Sequence, residues 1–272
     1  MFKLFRILML RYLNLAPRKK DFANAEFRHV DFRGVDFSYA NLRQADLSYA
    51  DLSFGGFRRR DTNLSYANLE RARMVRANLF KANLRRANLT GAQFEHAQLT
   101  SADLNGCCLV NVRMNYAEMS GAKLGAADLT GANLRHSELK NADLRLANLT
   151  DSDLQGSYLY GADLEGANLT GANLCGVDMA SVSLASAKLT LAVLRSADLH
   201  YADLSRADLS HSDLRGADLT HCDLTGADLT HCNLVDSDLS HSDLTGANLM
   251  GTNLAGANLT DVIGHDFTGA IF

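Results

Sequence analysis

The chain has 272 residues, 47% of them hydrophobic and 21% charged, with a formal net charge of −4 and a single proline. That apolar content is too high for a disordered chain and ample for a core. The net charge hides a division: residues 1–100 carry eighteen Lys/Arg against nine Asp/Glu, a net +9, and residues 101–272 carry nine against twenty-two, a net −13. Such polarity bears on partners and association rates, not on fold.

In chain order, Met1 to Ala16 come first. Lys3, Arg6, Arg11 and Asn14 fall on one helical face, and Phe2, Leu4, Phe5, Leu8, Met9 and Leu13 largely cover the rest. The pattern predicts an amphipathic helix over 1–16 that ends before Pro17. Arg6 and Arg11 interrupt the apolar run, which argues against a secretory signal and against a membrane span. The expected role is a cap over the first coil, as terminal units of repeat arrays require. A membrane-surface or partner-binding arm ranks below it.

From residue 17 to the C-terminus the chain repeats every five residues. Phe22, Phe27, Phe32, Phe37, Leu42, Leu47, Leu52 and Phe57 read as the first centres of the repeat. The step from Phe57 to Leu64 is seven residues, so a register break is expected at 58–63. The arginines Arg58, Arg59 and Arg60 should bulge there while the stack continues. They are also candidates for contact with an acidic partner.

The array then runs from Leu64 to Leu259 without a slip: forty centres, thirty-five of them Leu and the others Met74, Phe94, Met114, Met119 and Met179. The residue two before each centre is always small, and Asp or Asn stands just before the centre in twenty-eight repeats. Gly follows two after it in fourteen. A period of five fits neither the helical 3.6 nor the strand period of 2. It calls for a turn after every five residues, with the centre and the small residue facing inward and interdigitating between layers. The Asp/Asn side chain bonds nearby backbone at the turn, and Gly suits a corner with φ > 0. Residues directly after the centres should be exposed. Beyond Leu259 the pattern turns irregular over 260–272, with Phe267 and Phe272 as the next centres.

Runs such as Ala162-Asp163-Leu164-Glu165-Gly166 and Ala217-Asp218-Leu219-Thr220-His221 resemble the pentapeptide repeat family. The resemblance covers about nine-tenths of the chain. It implies an all-β fold, a right-handed quadrilateral parallel β-helix with one pentapeptide per side, and a bacterial source, cyanobacteria being rich in such proteins. Four repeats per coil place residues twenty apart above one another, about 4.8 Å apart. The resemblance is weak as to function, because members are diverse. Some imitate DNA to bind DNA gyrase and protect it from quinolones. Some dimerise through a terminal coil.

With that stacking, Glu118, Glu138, Tyr158, Asp178, Asp198, Asp218 and Asp238 form one ladder, and Asp203, Asp223 and Asp243 a shorter one beside it. Asp178, Asp198, Asp218 and Asp238 are therefore the candidate interaction surface, together with Arg58–Arg60; ordinary turn chemistry explains the same aspartates. His211 stacks under His231 and His221 under His241, on opposite sides. Each pair offers too few ligands for a metal ion, so solvated corner histidines are expected. Cys107, Cys222 and Cys232 take the small inward position, and no cysteine has a partner one coil away, which points to free thiols and a cytoplasmic location. No nucleophile elbow, phosphate loop, HExxH or CxxC is present. The basic residues Arg71, Arg73, Arg76, Lys81, Arg85 and Arg86 fall on different sides, which disfavours a nucleic-acid groove. The sequence thus points to a non-enzymatic scaffold with no catalytic residues, cofactor or metal. Its expected partner is another protein, with homodimerisation through a terminal coil left open and a gyrase-binding DNA mimic as the alternative.

Overall fold

The structure is a computed structural model and describes residues 20–55, 61–264 and 266–272. The helix expected over 1–16 and the arginines Arg58–Arg60 lie outside the described residues. Among these, the regular element is a parallel bridge between residues one coil apart, as in Asp153↔Asn173 and Asp178↔Asp198. Up to Asn258 the bridging residue is the one before the centre, and four such bridges complete each twenty-residue coil of the regular array. No helix and no run of consecutive bridging residues occurs among the described residues, so each of the four sides contributes one bridge per coil rather than a full strand.

The backbone accounting of one repeat explains the five-residue period. In Ser152–Gly156, Ser152 N–H closes the preceding corner on the Leu149 carbonyl (3.1 Å). Asp153 N–H reaches back one coil to the Ala132 carbonyl (2.9 Å), and Leu154 N–H reaches forward to the Asn173 carbonyl (2.8 Å). Gly156 N–H also reaches forward, to the Cys175 carbonyl (3.0 Å). That leaves Gln155 N–H, which donates to Asp153 Oδ1 (3.1 Å). All five donors are satisfied, four by backbone and the fifth by the side chain before the centre. This is why Asp or Asn recurs there: a short acceptor is needed two residues before an otherwise unpaired amide.

Each corner is a four-residue turn closed by a bond such as Ala162 N–H to the Leu159 carbonyl (2.8 Å). Its third residue is the one two after the centre. Every such residue from Tyr66 to Asp261 has φ between +52° and +72°, as the third position of a type II turn demands. The sequence pattern assigns this conformation only where Gly stands. The fold imposes it on Tyr, His, Arg, Ser and Leu as well, because all corners must superimpose for the ladder to continue.

Every centre from Leu64 to Leu254 is buried, and so is the small residue two before it except Ala247, which is half-buried near the end of the array. Leu259 is half-buried, since the coil over it is irregular. Residues directly after the centres are mostly half-buried rather than exposed. Their backbone is tied to the preceding Asp or Asn, so the side chain lies along the flat face. The outward projection belongs to the next residue, at the corner. In the first coil, Phe22, Phe27, Phe32 and Phe37 meet edge to face in succession, with ring centroids 5.0–5.9 Å apart. One core cluster runs from these rings to Leu254.

The register break differs from the two-residue excess expected at 58–63. Asp36 bridges to Asn63 and Asp51 to Asn78, an offset of 27, so one coil carries seven extra residues between Leu52 and Leu64. Phe57 lies outside the described residues, and Leu64 takes the place directly after Leu52. Thr62, fully buried, stitches the junction: its Oγ1 accepts from Gly34 N–H (2.9 Å) and donates to the Ser53 carbonyl (2.9 Å). At the other end Asn253 bridges to Ile271, an offset of 18, and Phe267 packs partly against the core while Phe272 is exposed.

Candidate functional site

The bridges place Glu118, Glu138, Tyr158, Asp178, Asp198, Asp218 and Asp238 in one continuous ladder, and Asp203, Asp223 and Asp243 in a second. Within the first, each aspartate spends one oxygen on its own turn. Asp178 Oδ1 accepts from Ala180 N–H (3.4 Å), Asp198 Oδ1 from His200 N–H (3.1 Å), Asp218 Oδ1 from Thr220 N–H (2.9 Å) and Asp238 Oδ1 from Ser240 N–H (2.8 Å). In Asp238 the Ser240 hydroxyl and amide hold the carboxyl below its usual range. The structural role of these side chains is therefore met by one oxygen of each. The ladder repeats this arrangement coil by coil.

One imidazole joins this face. His200 follows the centre Leu199, and its Nδ1 lies 2.5 Å from Asp198 Oδ1. That hydrogen bond raises its pKa, as do the charges of Asp198, Asp218 and Asp178, against the opposing effect of burial. Asp198, His200 and Asp218 each offer a ligand atom within 4.8 Å of the others. Sequence reading passed over His200 in favour of the four corner histidines. The signal lay in the same arithmetic: an imidazole two residues after one ladder carboxylate, with the next carboxylate one coil on.

The corner histidines behave as the sequence predicts. His211, His221, His231 and His241 are exposed. His211 stacks on His231 (5.1 Å) and His221 on His241 (4.9 Å), ring on ring. Tyr201 extends the second column over His221 (4.8 Å), and His96, Tyr116 and His136 make a like column elsewhere. All five cysteines are free. Burial pushes Cys107, Cys222 and Cys232 up to about 12, so these thiols stay protonated.

Several basic residues on the described rod pair with aspartates of their own or a neighbouring coil. Arg145 pairs with Asp143 (2.8 Å) and Asp163 (3.5 Å), and Arg135 with Asp153 (3.2 Å). Among the described residues no helix is long and apolar enough to cross a membrane.

The sequence profile described as pentapeptide repeats (8 copies) matches the chain in a series of segments, from 21–58 through 60–94 to 232–272. Among solved structures, the chain is similar to HetL, a pentapeptide repeat protein involved in heterocyst differentiation regulation from the cyanobacterium Nostoc sp. strain PCC 7120. Identity is 28%, over 97% of this chain and 92% of that one, with a TM-score of 0.34. It is also similar to the pentapeptide repeat protein Rfr23 from the cyanobacterium Cyanothece 51142, at 32% identity over 35% of this chain and 63% of that one (TM-score 0.32). A third is QnrB1, a plasmid-mediated fluoroquinolone resistance protein, at 20% identity over 56% and 87% (TM-score 0.31). No curated protein sequence matches.

Proposed function

The chain belongs to the pentapeptide repeat family, a right-handed β-helix solenoid, and from that premise we propose that it is a non-enzymatic scaffold which binds another protein through one flat side. The observation that carries this reading is the ladder Asp178–Asp198–Asp218–Asp238, bridged coil to coil. Each carboxylate is oriented by its own turn amide, so a partner meets a charge pattern that is already ordered and little entropy is lost on binding. HetL, similar over nearly the whole chain, is described as taking part in the regulation of differentiation, a role that suits a binding protein. Five unpaired cysteines support a reducing compartment such as the cytoplasm.

The test is capture from a bacterial lysate by the intact chain and by a variant with Asp178, Asp198, Asp218 and Asp238 replaced by Lys. A partner retained by the first and lost by the second supports the ladder as the binding side. Equal retention by both moves the binding surface elsewhere, Arg58–Arg60 included.

The second reading is a DNA mimic acting on gyrase or another topoisomerase. The regular spacing of the ladder and the likeness to a fluoroquinolone resistance protein favour it. The sharing of each ladder aspartate with its turn weighs the other way, because turn chemistry alone produces the pattern. Titration of the purified protein into a supercoiling assay at low salt, where charge contacts are least screened, separates the two. Inhibition lost on reversal of the four aspartates would establish the mimic. A homodimer through the last coil is a further proposal of this reading. Ile263, Ile271 and Phe272 are all exposed there, and sedimentation of a Phe272→Asp variant against the parent tests it.

A further inference from the structure

We propose that the outer side of the coils at Leu199 and Leu219 binds one divalent transition-metal ion of zinc-like preference, held by the Asp198 carboxylate, the His200 imidazole and the Asp218 carboxylate.

The convergence follows from register. Asp198 and His200 flank the buried centre Leu199 and therefore face outward together. Asp218 is the bridge partner of Asp198 one coil on. The backbone under them is fixed by Leu199 N–H to the Asp218 carbonyl (2.8 Å) and Asp218 N–H to the Ala197 carbonyl (2.9 Å). Three donors thus sit on a rigid frame, with their ligand atoms within 4.8 Å of one another. In a tetrahedral shell with bonds of ~2.0–2.2 Å, neighbouring ligand atoms stand roughly 3.4 Å apart. His200 Nδ1 and Asp198 Oδ1, now 2.5 Å apart, would part slightly, and Asp218 would close in. Side-chain torsions suffice for both movements, since His200 and Asp198 are only partly buried.

Charge points the same way. Asp198 and His200 are in hydrogen-bond contact, and the carboxylates that favour a proton on His200 favour a dication in its place. Among the described residues neither Asp198 nor Asp218 pairs with a Lys or Arg, unlike Asp143, Asp153 and Asp213. From Gly216 to the C-terminus the sequence has no Lys or Arg at all. One imidazole with two carboxylates suits zinc and its first-row neighbours, whereas magnesium and calcium favour oxygen ligands alone. Three protein ligands leave a fourth position for water. The arrangement is particular to this coil: Asp178 is followed two residues later by Ala180, Asp218 by Thr220 and Asp238 by Ser240, so no other rung of the ladder supplies an imidazole.

The experiment uses the full chain with Cys108→Ser and Cys175→Ser, which removes the two thiols that are not buried. Zinc is titrated calorimetrically into chelator-treated protein at neutral pH, and cobalt(II) is followed by visible absorption. The expected result is one saturable equivalent, with cobalt bands of nitrogen–oxygen ligation. His200→Gln and Asp218→Asn should each weaken binding by more than the ~10-fold that loss of a supporting partner gives. They should also abolish the rise in Tm that zinc produces, while leaving the metal-free Tm unchanged. A His221→Gln, His241→Gln double variant should bind as the parent does. Absence of saturable binding, undiminished affinity in His200→Gln, or loss confined to the corner-histidine variant would each overturn the proposal.

Discussion

Replacing Leu154 by Ala probes the inward register most directly. Leu154 is a centre with no exposed surface, and Leu134 and Leu174 lie one coil below and above it. Leu→Ala in a packed core costs about 2–5 kcal/mol, more where the surroundings cannot close on the cavity. Here they cannot close easily. Leu154 N–H is tied to the Asn173 carbonyl and Asp153 N–H to the Ala132 carbonyl, so the coil spacing is held on both sides of the gap. The expected loss is therefore in the upper half of that range, about 3–5 kcal/mol. The neighbouring Gln155→Ala should stay within ~0.5 kcal/mol, because only its backbone amide enters the turn. Asp153→Ala should fall between, at about 1–2 kcal/mol, through loss of the acceptor for that amide and for Asn173 Nδ2 (3.0 Å). Urea unfolding followed by circular dichroism measures all three, with the m-value checked for a change in cooperativity. Similar losses at Leu154 and Gln155 would refute the inward assignment of the centres.

The corners give a second prediction. Gly176→Ala, at φ +59° with open space around the added methyl, should cost about 1 kcal/mol from backbone strain alone. Gly156→Ala should cost more, as its Cβ would stand 2.8 Å from the His136 ring; a smaller loss at Gly156 in thermal unfolding would contradict the geometry. Thiol titration of the folded protein should find Cys108 and Cys175 reactive and Cys107, Cys222 and Cys232 silent until denaturant is added, since burial holds these three at about 12. Asp213 is lowered to about 2, first by the hydrogen bond from Arg215 and then by Arg195, against burial. A depressed carboxylate stabilises the fold above its unfolded pKa of about 3.9, and that contribution fades as pH falls from there towards about 2. Asp213→Asn keeps the turn acceptor and removes the charge, so the stability gap to the parent should be present at neutral pH, shrink through that window and narrow in high salt; a gap independent of pH would show that the ion pair is idle.

The fold was almost wholly legible because one constraint is repeated forty times. Leu at every fifth position and a small residue two before it admit one inward face, and the bridges at twenty-residue spacing follow from four sides per coil. What the pattern hid is instructive. Phe57 looks like a centre because it keeps the five-residue step after Leu52, yet the bridge from Asp36 to Asn63 shows that the coil resumes at Leu64. A period detects where register is lost and is blind to how many residues the chain spends before regaining it. The corners were hidden for a different reason. Composition marks φ > 0 only through glycine, while Leu146 at +58° and Leu191 at +61° take the same conformation because the ladder above and below over-determines it.

The candidate site was legible in part, and the part missed has a physical explanation. Ladder aspartates are visible from spacing, but spacing cannot say which of their oxygens is already spoken for. The turn amide claims one oxygen of Asp178, Asp198, Asp218 and Asp238, so the ladder by itself is evidence of a well-made turn. A residue that serves no turn is more informative. His200 fills a position that Ala180, Thr220 and Ser240 fill on neighbouring coils, closes no corner and satisfies no backbone donor with its ring. In a molecule where nearly every recurring side chain is explained by the period, function is best sought at the positions that depart from it. On this chain the imidazole at 200 is such a departure, set between two carboxylates that the period itself brings together.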